Sequence, residues 1–454
     1  MITAPLLKKY NQAIPRYTSY PTLPNWHDTI TTEEWAQCFT TQFKRHNNQD
    51  GISVYIHLPF CESLCTYCGC NKKITTNHKV EDDYMKAVLK EWQLYLQLMP
   101  EKPVIRELHL GGGTPTFFSP ENLQKLLTGI LAQATIHPDH QFSFEGHPNN
   151  TSYAHLLTLF NLGFRRLSLG VQDNDPIVQF VINRIQPFEA VKEVTEWARE
   201  IGYTSVNFDL IYGLPKQTLE SIERTLLQCI TLKPDRVAFY SYAHVPWTSR
   251  GQRLFDEKDL PSPDLKMQLY RLGKFLFSSN GYADIGMDHF ALRNDELFKV
   301  REKGKLHRNF MGYTTQSTAL LIGLGVSSIS DTGNGYAQNN KTIQEYYQSV
   351  NDGRLAVTKG YFLSAEDQSF KKYILDISCK GATKFHPEDL QTLRELTFPQ
   401  LENIAEDGLI NWDESGLTVT PLGHHFIRNI CSAFDLYLLK KKSGIEVPAY
   451  SKAI

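Results

Sequence analysis

Between residues 52 and 244, short β-branched or aromatic runs alternate with stretches of helical periodicity. This alternation constrains the fold more than any other feature. The runs are ISVYIHLPF (52–60), IRELHL (105–110), QFSFEGHP (141–148), RRLSLGVQ (165–172), SVNFDLIYGLP (205–215) and RVAFYSYAH (236–244). Each has the length and composition of a strand. EDDYMKAVLKEWQLYLQL (81–98) has apolar residues at helical spacing, and SPENLQKLLTGILAQ (119–133) does too, with Ser119 placed as its cap. Strands alternating with helices build a parallel α/β sheet. Right-handed crossovers would curl six such units into an open (β/α)6-type partial TIM barrel. A doubly wound dinucleotide fold would place G-x-G-x-x-G after the first strand, and none follows it. Polar residues recur at the strand ends: Glu145, Gln172, Asp209 and Tyr242. In a barrel these ends ring one mouth.

The flanks read differently. Residues 1–50 form an N-terminal extended arm, rich in Tyr, Thr and Pro at IPRYTSYPT (14–22), and a first helix. Residues 51–345 form the barrel with its loops, including Gly-, Ser- and Thr-rich loops at 307–316 and 322–339. Residues 346–454 read as a mainly α-helical C-terminal domain. In it a hairpin, 409–420, joins helices at 387–408 and 421–442. Helices plus hairpin have the shape of a winged helix, but the hairpin carries Asp413 and Glu414 and no cation to meet phosphate. With 47 Lys and Arg against 49 Asp and Glu, the chain is no general binder of nucleic acid or membrane surfaces. No apolar run reaches the roughly 18 residues of a spanning helix, and no signal peptide is legible. The expected setting is the cytoplasm.

Four of the eight cysteines lie in CESLCTYCGC (61–70). In a reducing compartment such a cluster points to metal or redox chemistry. A structural zinc site draws ligand pairs from separated parts of a chain, and no second pair stands at a matching distance. Three thiolates spaced C-x3-C-x2-C can each hold one iron of a 4Fe-4S cluster. The fourth iron then stays open, as metal positions do in reactive sites. It can chelate the amino and carboxylate groups of S-adenosylmethionine. The remaining cysteines, Cys38, Cys229, Cys379 and Cys431, sit in helix-like sequence and read as small buried hydrophobes.

YIHLPFCESLCTYCGCNK resembles the radical S-adenosylmethionine superfamily. Within it, the match is to the oxygen-independent coproporphyrinogen III dehydrogenase (oxidase) family. The likeness continues through PRYTSYPT, GGGTPT, LSLGVQD, FDLIYGLPKQT, GMDHFA, HRNFMGYTTQ, YAQN and IRNIC. It implies that Cys61, Cys65 and Cys68 ligate the cluster and that Cys70 does not. It implies that Tyr55 and Tyr67 line the cofactor site and that Gly112, Gly113 and Thr114 bring the backbone close to it. Glu145, Gln172, Arg184 and Asp209 correspond to side chains that hold S-adenosylmethionine, and Ala243 and Ile329 to apolar cofactor contacts. Two S-adenosylmethionine molecules per chain are implied.

The implied reaction turns two propionates of coproporphyrinogen III into vinyl groups, giving protoporphyrinogen IX in haem biosynthesis. A 5′-deoxyadenosyl radical takes a β-hydrogen, and the substrate radical then loses CO2 and one electron. An electron donor such as flavodoxin or ferredoxin is implied, and the expected state is a monomer. Arg16, Tyr17 and Tyr20 in the arm, and His307 and Arg308, are candidate grips for substrate carboxylates. One position departs from the family pattern: His147 follows Gly146 where the family has Asp before Pro. The main rival is a haem-trafficking relative, which keeps the cluster cysteines but lacks the Tyr-rich arm and the Cys-x-Cys ending.

Overall fold

The structure is a computed structural model and describes residues 3–247, 249–440 and 450. Its frame is set by period-two alternation along six strands: β1 (Ile52–Leu58), β2 (Val104–Gly112), β3 (Thr135–Gly146), β4 (Phe164–Gln172), β5 (Ser205–Tyr212) and β6 (Arg236–Ser241). One face carries Ile52, Val54, Ile56, Leu108, Leu110, Phe142, Phe144, Leu167, Leu169, Val206, Phe208, Val237 and Phe239, all in one buried cluster. Helices α1 (Thr32–His46), α2 (Val80–Leu98), α3 (Pro120–Leu131), α4 (Tyr153–Asn161), α5 (Phe188–Ile201) and α6 (Leu219–Thr231) supply the other half of that core through residues such as Trp35, Trp92, Leu126, Leu156, Val194 and Leu226. Each such side chain, once fully buried, contributes roughly 1.5–3 kcal/mol.

The alternate positions are polar. Ser53, Glu107, His109, Ser143, Glu145, Ser168, Asn207 and Asp209 share the opposite face and bond to one another across neighbouring strands. Ser53 Oγ donates to Glu107 Oε2 at 2.6 Å, and Ser168 Oγ donates to Asp209 Oδ2 at 2.9 Å. His109 Nδ1 and Ser143 Oγ lie 2.8 Å apart. This satisfaction makes burial of the polar face tolerable.

β1 to β6 are parallel and lie side by side in chain order. The order never reverses, as it must in a doubly wound sheet. With right-handed crossovers, one direction of winding puts every connecting helix on the apolar face and leaves the polar face for other elements to cover.

Among the described residues the sheet holds twelve strands. β7 (Tyr282–Gly286) and β8 (His289–Leu292) extend it antiparallel beyond β6. β9 (Leu320–Leu324) pairs parallel with β1, and β10 (Ile329–Asp331), β11 (Gly335–Asn339) and β12 (Val357–Phe362) follow antiparallel. The sheet thus continues past residue 345. Within residues 322–339, whose Gly and Ser content indicates a loop, strands fill 322–324, 329–331 and 335–339, joined by short turns. All five residues of β9 and all five of β11 are buried. Likewise His307–Asn309 and Gly312–Thr314 form a small antiparallel pair.

The helix expected at 387–408 is broken into short 3-10, α and π segments that end in Phe398–Glu406. The stretch expected as helix at 421–442 contains the short helices Ile427–Ser432 and Leu436–Lys440, and residues 441–442 lie outside the described residues. The hairpin Ile410–Asp413/Gly416–Val419 has a third partner, Ala382–Lys384. The N-terminal segment packs into this part of the molecule. Tyr10, Ile14, Tyr17 and Tyr20 share a core with Phe370, Tyr373, Leu401, Phe426 and Ile430.

Candidate active site

The C-terminal ends of β1 to β5 deliver five connecting segments to one cavity of about 440 Å³. β1 leads into Cys61, Cys65, Tyr67, Cys68 and Cys70. β2 leads into Gly112, Gly113 and Thr114. β3 gives Glu145, Gly146 and His147, β4 gives Gln172 with Arg184 beyond it, and β5 gives Asp209. Eleven of the residues singled out from the sequence therefore meet in one place: Cys61, Cys65, Cys68, Tyr67, Gly112, Gly113, Thr114, Glu145, Gln172, Arg184 and Asp209.

The cysteine loop is anchored at both ends. Phe60–Cys61 pairs with Lys73–Ile74. The Thr66 amide donates to the Ile182 carbonyl at 3.0 Å. Thr114 Oγ1 donates to Cys61 Sγ at 3.3 Å, and Arg184 Nη1 to Cys65 Sγ at 3.6 Å. A hydrogen bond from Cys70, aided by the Lys72 ammonium, lowers the Cys68 pKa towards the ligating thiolate form, whereas burial pushes Cys61 up.

Among the described residues, no three His, Cys, Asp or Glu side chains converge as the ligands of a single ion. A cubane cluster makes a different demand, because each thiolate takes its own iron. Three thiols spread over one loop, with hydroxyl and guanidinium donors at two of the sulfurs, suit that chemistry. Arg184 Nε is buried without a partner, and its Nη2 donates to the Gly170 carbonyl at 2.5 Å. This leaves a donor on the cavity wall for an anionic group such as an amino-acid carboxylate.

The glycine turn presents backbone to the cavity. Gly112 has φ +115°, a conformation side chains rarely adopt. A Cβ on Gly113 would lie 2.6 Å from the Pro59 carbonyl carbon and oxygen, so the turn rests directly on the start of the cysteine loop. Glu145 Oε2 accepts the Gly112 amide at 3.2 Å, and Oε1 lies 3.4 Å from His109 Nε2. Gln172 has φ +66°, unusual for a residue with a side chain, and follows directly on the strand face.

Burial first, then the nearby Glu145 charge, raise the Asp209 carboxyl to about 6 from its ordinary 3.8. The native state thus holds a proton that the unfolded chain gives up between pH 3.8 and about 6. The corresponding stability is present below this window and lost as pH rises through it, by up to roughly 3 kcal/mol. Asp209→Asn is therefore expected to raise the urea midpoint at pH 7.5. That advantage narrows as the measurement is repeated down to pH 5.

Other expected residues lie outside the cavity lining. Tyr55 is one layer in, stacked on His109 at 5.9 Å, with its hydroxyl 3.2 Å from His57 Nδ1. The Ala243 carbonyl accepts from Gln252 Nε2 at 3.1 Å, and the same nitrogen reaches the Tyr67 carbonyl at 2.9 Å, so Ala243 is tied to the cysteine loop indirectly. Ile329 opens β10 and packs near Trp26 and Tyr336. Tyr17 faces away, its hydroxyl donating to Asp435 Oδ2 at 3.1 Å. Arg16 reaches in from the N-terminal segment. Its Nη2 donates to the Ser241 carbonyl at 2.8 Å, and its guanidinium lies 5.8 Å from the Tyr240 ring centre.

β6 ends at Ser241, so Tyr242 packs instead with Val178, Ile182 and Leu214. Tyr240 lines the cavity in its place. Its parity with Arg236 and Ala238 is the sequence signal that marks it for the polar face. His147 also lines the cavity, and its Nδ1 accepts the Asn149 amide at 3.1 Å, capping the turn Pro148–Asn150. The proton of the neutral ring therefore sits on Nε2. Burial, then the Arg184 charge, hold the His147 pKa down at about 3.

The superfamily signature of radical SAM proteins matches residues 55–229, which run from within β1 to beyond β5 and include the cysteine loop. The fold and the cavity define that class. Similarity extends much further than the signature. The chain is 38% identical over 445 residues to the oxygen-independent coproporphyrinogen III oxidase of Pseudomonas aeruginosa, covering 96% of both chains. It is 39% identical over 444 residues to the same-named protein of Escherichia coli, covering 96% of this chain and 95% of that one. The solved structure of coproporphyrinogen III oxidase from Escherichia coli, described as a radical SAM enzyme, superposes with a TM-score of 0.88 at 37% identity, over 94% of this chain and 100% of that one. The chain belongs to the family of oxygen-independent coproporphyrinogen III oxidases.

Proposed function

We propose that this protein carries out the oxidative decarboxylation of two propionate side chains of coproporphyrinogen III, giving protoporphyrinogen IX without oxygen in haem biosynthesis. The observation that carries the reading is the convergence of Cys61, Cys65, Cys68, the Gly112–Thr114 turn, Glu145, Gln172, Arg184 and Asp209 on one cavity, in a chain alike over its whole length to enzymes of that name. When bound, the 4Fe-4S cluster and S-adenosylmethionine supply an electron and a 5′-deoxyadenosyl radical able to take a hydrogen atom from an unactivated carbon.

The chain's own residues would do the rest. Cys61, Cys65 and Cys68 hold the cluster. Arg184 offers donors to a carboxylate, while Glu145, Gln172 and Asp209 offer acceptors to an amine and to ribose hydroxyls. Gly112, Gly113 and Thr114 offer backbone groups at close range, and Tyr67 walls the cavity. Two S-adenosylmethionine molecules per chain are part of the proposal, with Tyr55, Ala243 and Ile329 as further proposed cofactor contacts. The open curl of β1 to β6 into a partial barrel fits their unreversed order and polar inner face. A division into N-terminal segment, sheet unit and helical C-terminal part is also proposed; the separate hydrophobic clusters support the boundary between the last two, while residues 10–20 share the C-terminal core.

A small electron-transfer protein such as flavodoxin or ferredoxin is the proposed donor. Glu62, Ser63, Gly69 and Cys70 expose the rim of the cysteine loop where such a protein can approach. We place the enzyme in the cytoplasm as a monomer that engages neither nucleic acid nor membrane. No described helix is long and apolar enough to cross a membrane.

The test is anaerobic reconstitution of the cluster, then addition of S-adenosylmethionine, reductant, electron acceptor and coproporphyrinogen III. CO2, protoporphyrinogen IX and 5′-deoxyadenosine are expected together. Tight haem binding without CO2 release would overturn the reading in favour of haem trafficking.

A further inference from the structure

The short helix Pro176–Val181 carries apolar residues on both faces. Val178 and the following Ile182 pack inward with Tyr67. Ile177 and Phe180 lie on the other side, and Phe180 is 77% exposed. Stability does not call for them there, because the solvent face of a surface helix is ordinarily polar. Among the described residues twelve large apolar side chains are exposed, and six of them, Ile74, Ile177, Phe180, Ile185, Trp247 and Leu254, stand on three short segments. All three segments are bonded to the cysteine loop. Lys73–Ile74 pairs with Phe60–Cys61. The Thr66 amide donates to the Ile182 carbonyl, and Asn183 Nδ2 donates to the Leu64 carbonyl at 2.8 Å. Ser249 Oγ donates to the Cys68 carbonyl at 3.1 Å. Ile185 also lines the cofactor cavity, so the apolar surface runs up to its mouth.

Cations stand on the same segments. Lys73, Arg250 and Arg253 are exposed, and among the described residues no carboxylate pairs with any of them. Arg253 Nε donates to the Pro246 carbonyl at 2.8 Å. Next along the chain, Asp256 pairs with Lys258 at 2.8 Å and Asp259 with Lys216 at 2.7 Å. Glu62, 3.6 Å from His78 Nε2, and Glu257 remain as exposed acids nearby. The unpaired charge is therefore mainly positive, in a chain whose net charge is −2. Clustered exposed apolar residues mark interaction sites. Apolar residues edged by charge are the make-up of a protein interface, and the sign of the charge selects the partner. Here the sign selects an acidic one.

We propose that the apolar residues around the cysteine loop, with Lys73, Arg250 and Arg253 beside them, form the docking surface for an acidic, low-potential one-electron carrier protein. The proposal rests on the function argued above, which draws its electron from outside the chain. The surface surrounds the loop whose cysteines would hold the cluster, so a docked carrier stands at the shortest path to it. The reduced carrier gives one electron to the cluster and leaves oxidised by one electron. No bond forms or breaks in this step, and no proton is required. The cations steer the approach, and the apolar residues hold a brief complex of the small size usual for electron-transfer encounters.

The experiment compares wild type with two double variants, Ile177→Ser with Phe180→Ser and Arg250→Glu with Arg253→Glu, all with reconstituted cluster. The four side chains are exposed and line no part of the cofactor cavity. The probes are flavodoxin and, in a separate series, a plant-type ferredoxin. Calorimetric titration reads carrier affinity, stopped-flow absorbance reads cluster reduction by the reduced carrier, and dithionite replaces the carrier as control. Both variants are expected to bind the carrier roughly 10- to 100-fold more weakly, with a parallel fall in carrier-driven reduction at low carrier concentration. Wild-type binding weakens as salt is added, and the glutamate variant loses most of that dependence. Iron content, S-adenosylmethionine affinity and reduction by dithionite stay unchanged.

Wild-type affinity for both carriers in either variant overturns the docking surface. An equal loss of reduction by dithionite does the same, since the defect then lies in the cluster site. Sedimentation tests the other occupant: a dimeric wild type beside a monomeric serine variant gives the patch to a second copy of the chain and also overturns the proposal. If carrier binding and cluster reduction depend on the patch but coproporphyrinogen III releases no CO2, the function falls and the surface stands. If CO2 is released and carrier-driven reduction ignores the patch, the surface falls and the function stands.

Discussion

Replacing Cys65 with serine is expected to abolish the visible absorbance of the reconstituted cluster, its iron content and all turnover, while the same test on Cys70→Ala leaves the iron in place. The two cysteines lie in one ten-residue stretch but in different surroundings. Cys65 is buried and its sulfur accepts from Arg184, so a thiolate there has a cation at hand. Cys70 is exposed on the rim and acts on the Cys68 sulfur. A serine hydroxyl is a poor substitute for an iron-bound thiolate, because its proton is far harder to lose. Iron analysis and absorbance after anaerobic reconstitution check the contrast. Full iron content in Cys65→Ser would remove the three-to-one division of the cysteines.

The second large effect is expected from a single methyl group. In Gly113→Ala the new Cβ meets the Pro59 carbonyl carbon and oxygen at 2.6 Å and the Phe60 carbonyl oxygen at 2.9 Å. These are backbone atoms and cannot rotate aside. The Gly113 amide also donates to the Leu58 carbonyl at 2.9 Å, and the Thr114 amide to that of Phe60 at 3.0 Å, so relief of the clash breaks the seam between glycine turn and cysteine loop. Overpacking of this kind costs about 1–3 kcal/mol. The larger consequence is at the site, because both walls of the cavity shift together. S-adenosylmethionine binding is expected to weaken at least about 100-fold, given how steeply positioned contacts depend on placement. Calorimetric titration measures this. Unchanged affinity would show that the turn does not approach the cofactor.

The six-unit alternation was readable because each strand alternates apolar and polar residues and each helix carries an apolar stripe. The cavity was readable because its residues cluster towards strand ends: Glu145 and Gln172 stand within a residue of the ends of β3 and β4, and Asp209 three residues before the end of β5. Tyr242 was misplaced by two residues, since β6 ends one residue earlier and Tyr240 takes the facing position. β9 to β11 were hidden by glycine and serine. Gly323 is needed there because a Cβ would lie 2.4 Å from the Ile329 carbonyl oxygen, so close strand packing chose the residue that makes the segment read as loop. The role of His147 had to await its surroundings: only the Asn149 amide at 3.1 Å fixes it as a cap with its proton directed from the other nitrogen. Arg308 stands in a quotable motif, but that no described carboxylate pairs with it is a property of the folded interior alone.

The N-terminal segment, finally, has its partners at the other end of the chain. Tyr10 donates to Asp407 at 2.6 Å, Asn429 donates to the Tyr10 carbonyl at 2.9 Å, and the Tyr20 hydroxyl accepts the Leu436 amide at 3.1 Å. At ribosomal speeds of about 5–20 residues per second, roughly 20–80 s separate the synthesis of these ends. Throughout that interval the β1 to β6 units can assemble while Tyr10 and Tyr20 lack these C-terminal partners; the Ser241 carbonyl that receives Arg16 is made much earlier. A chain truncated after the sheet is therefore expected to form its cysteine loop but to leave the N-terminal segment without the core it shares with residues 370–436.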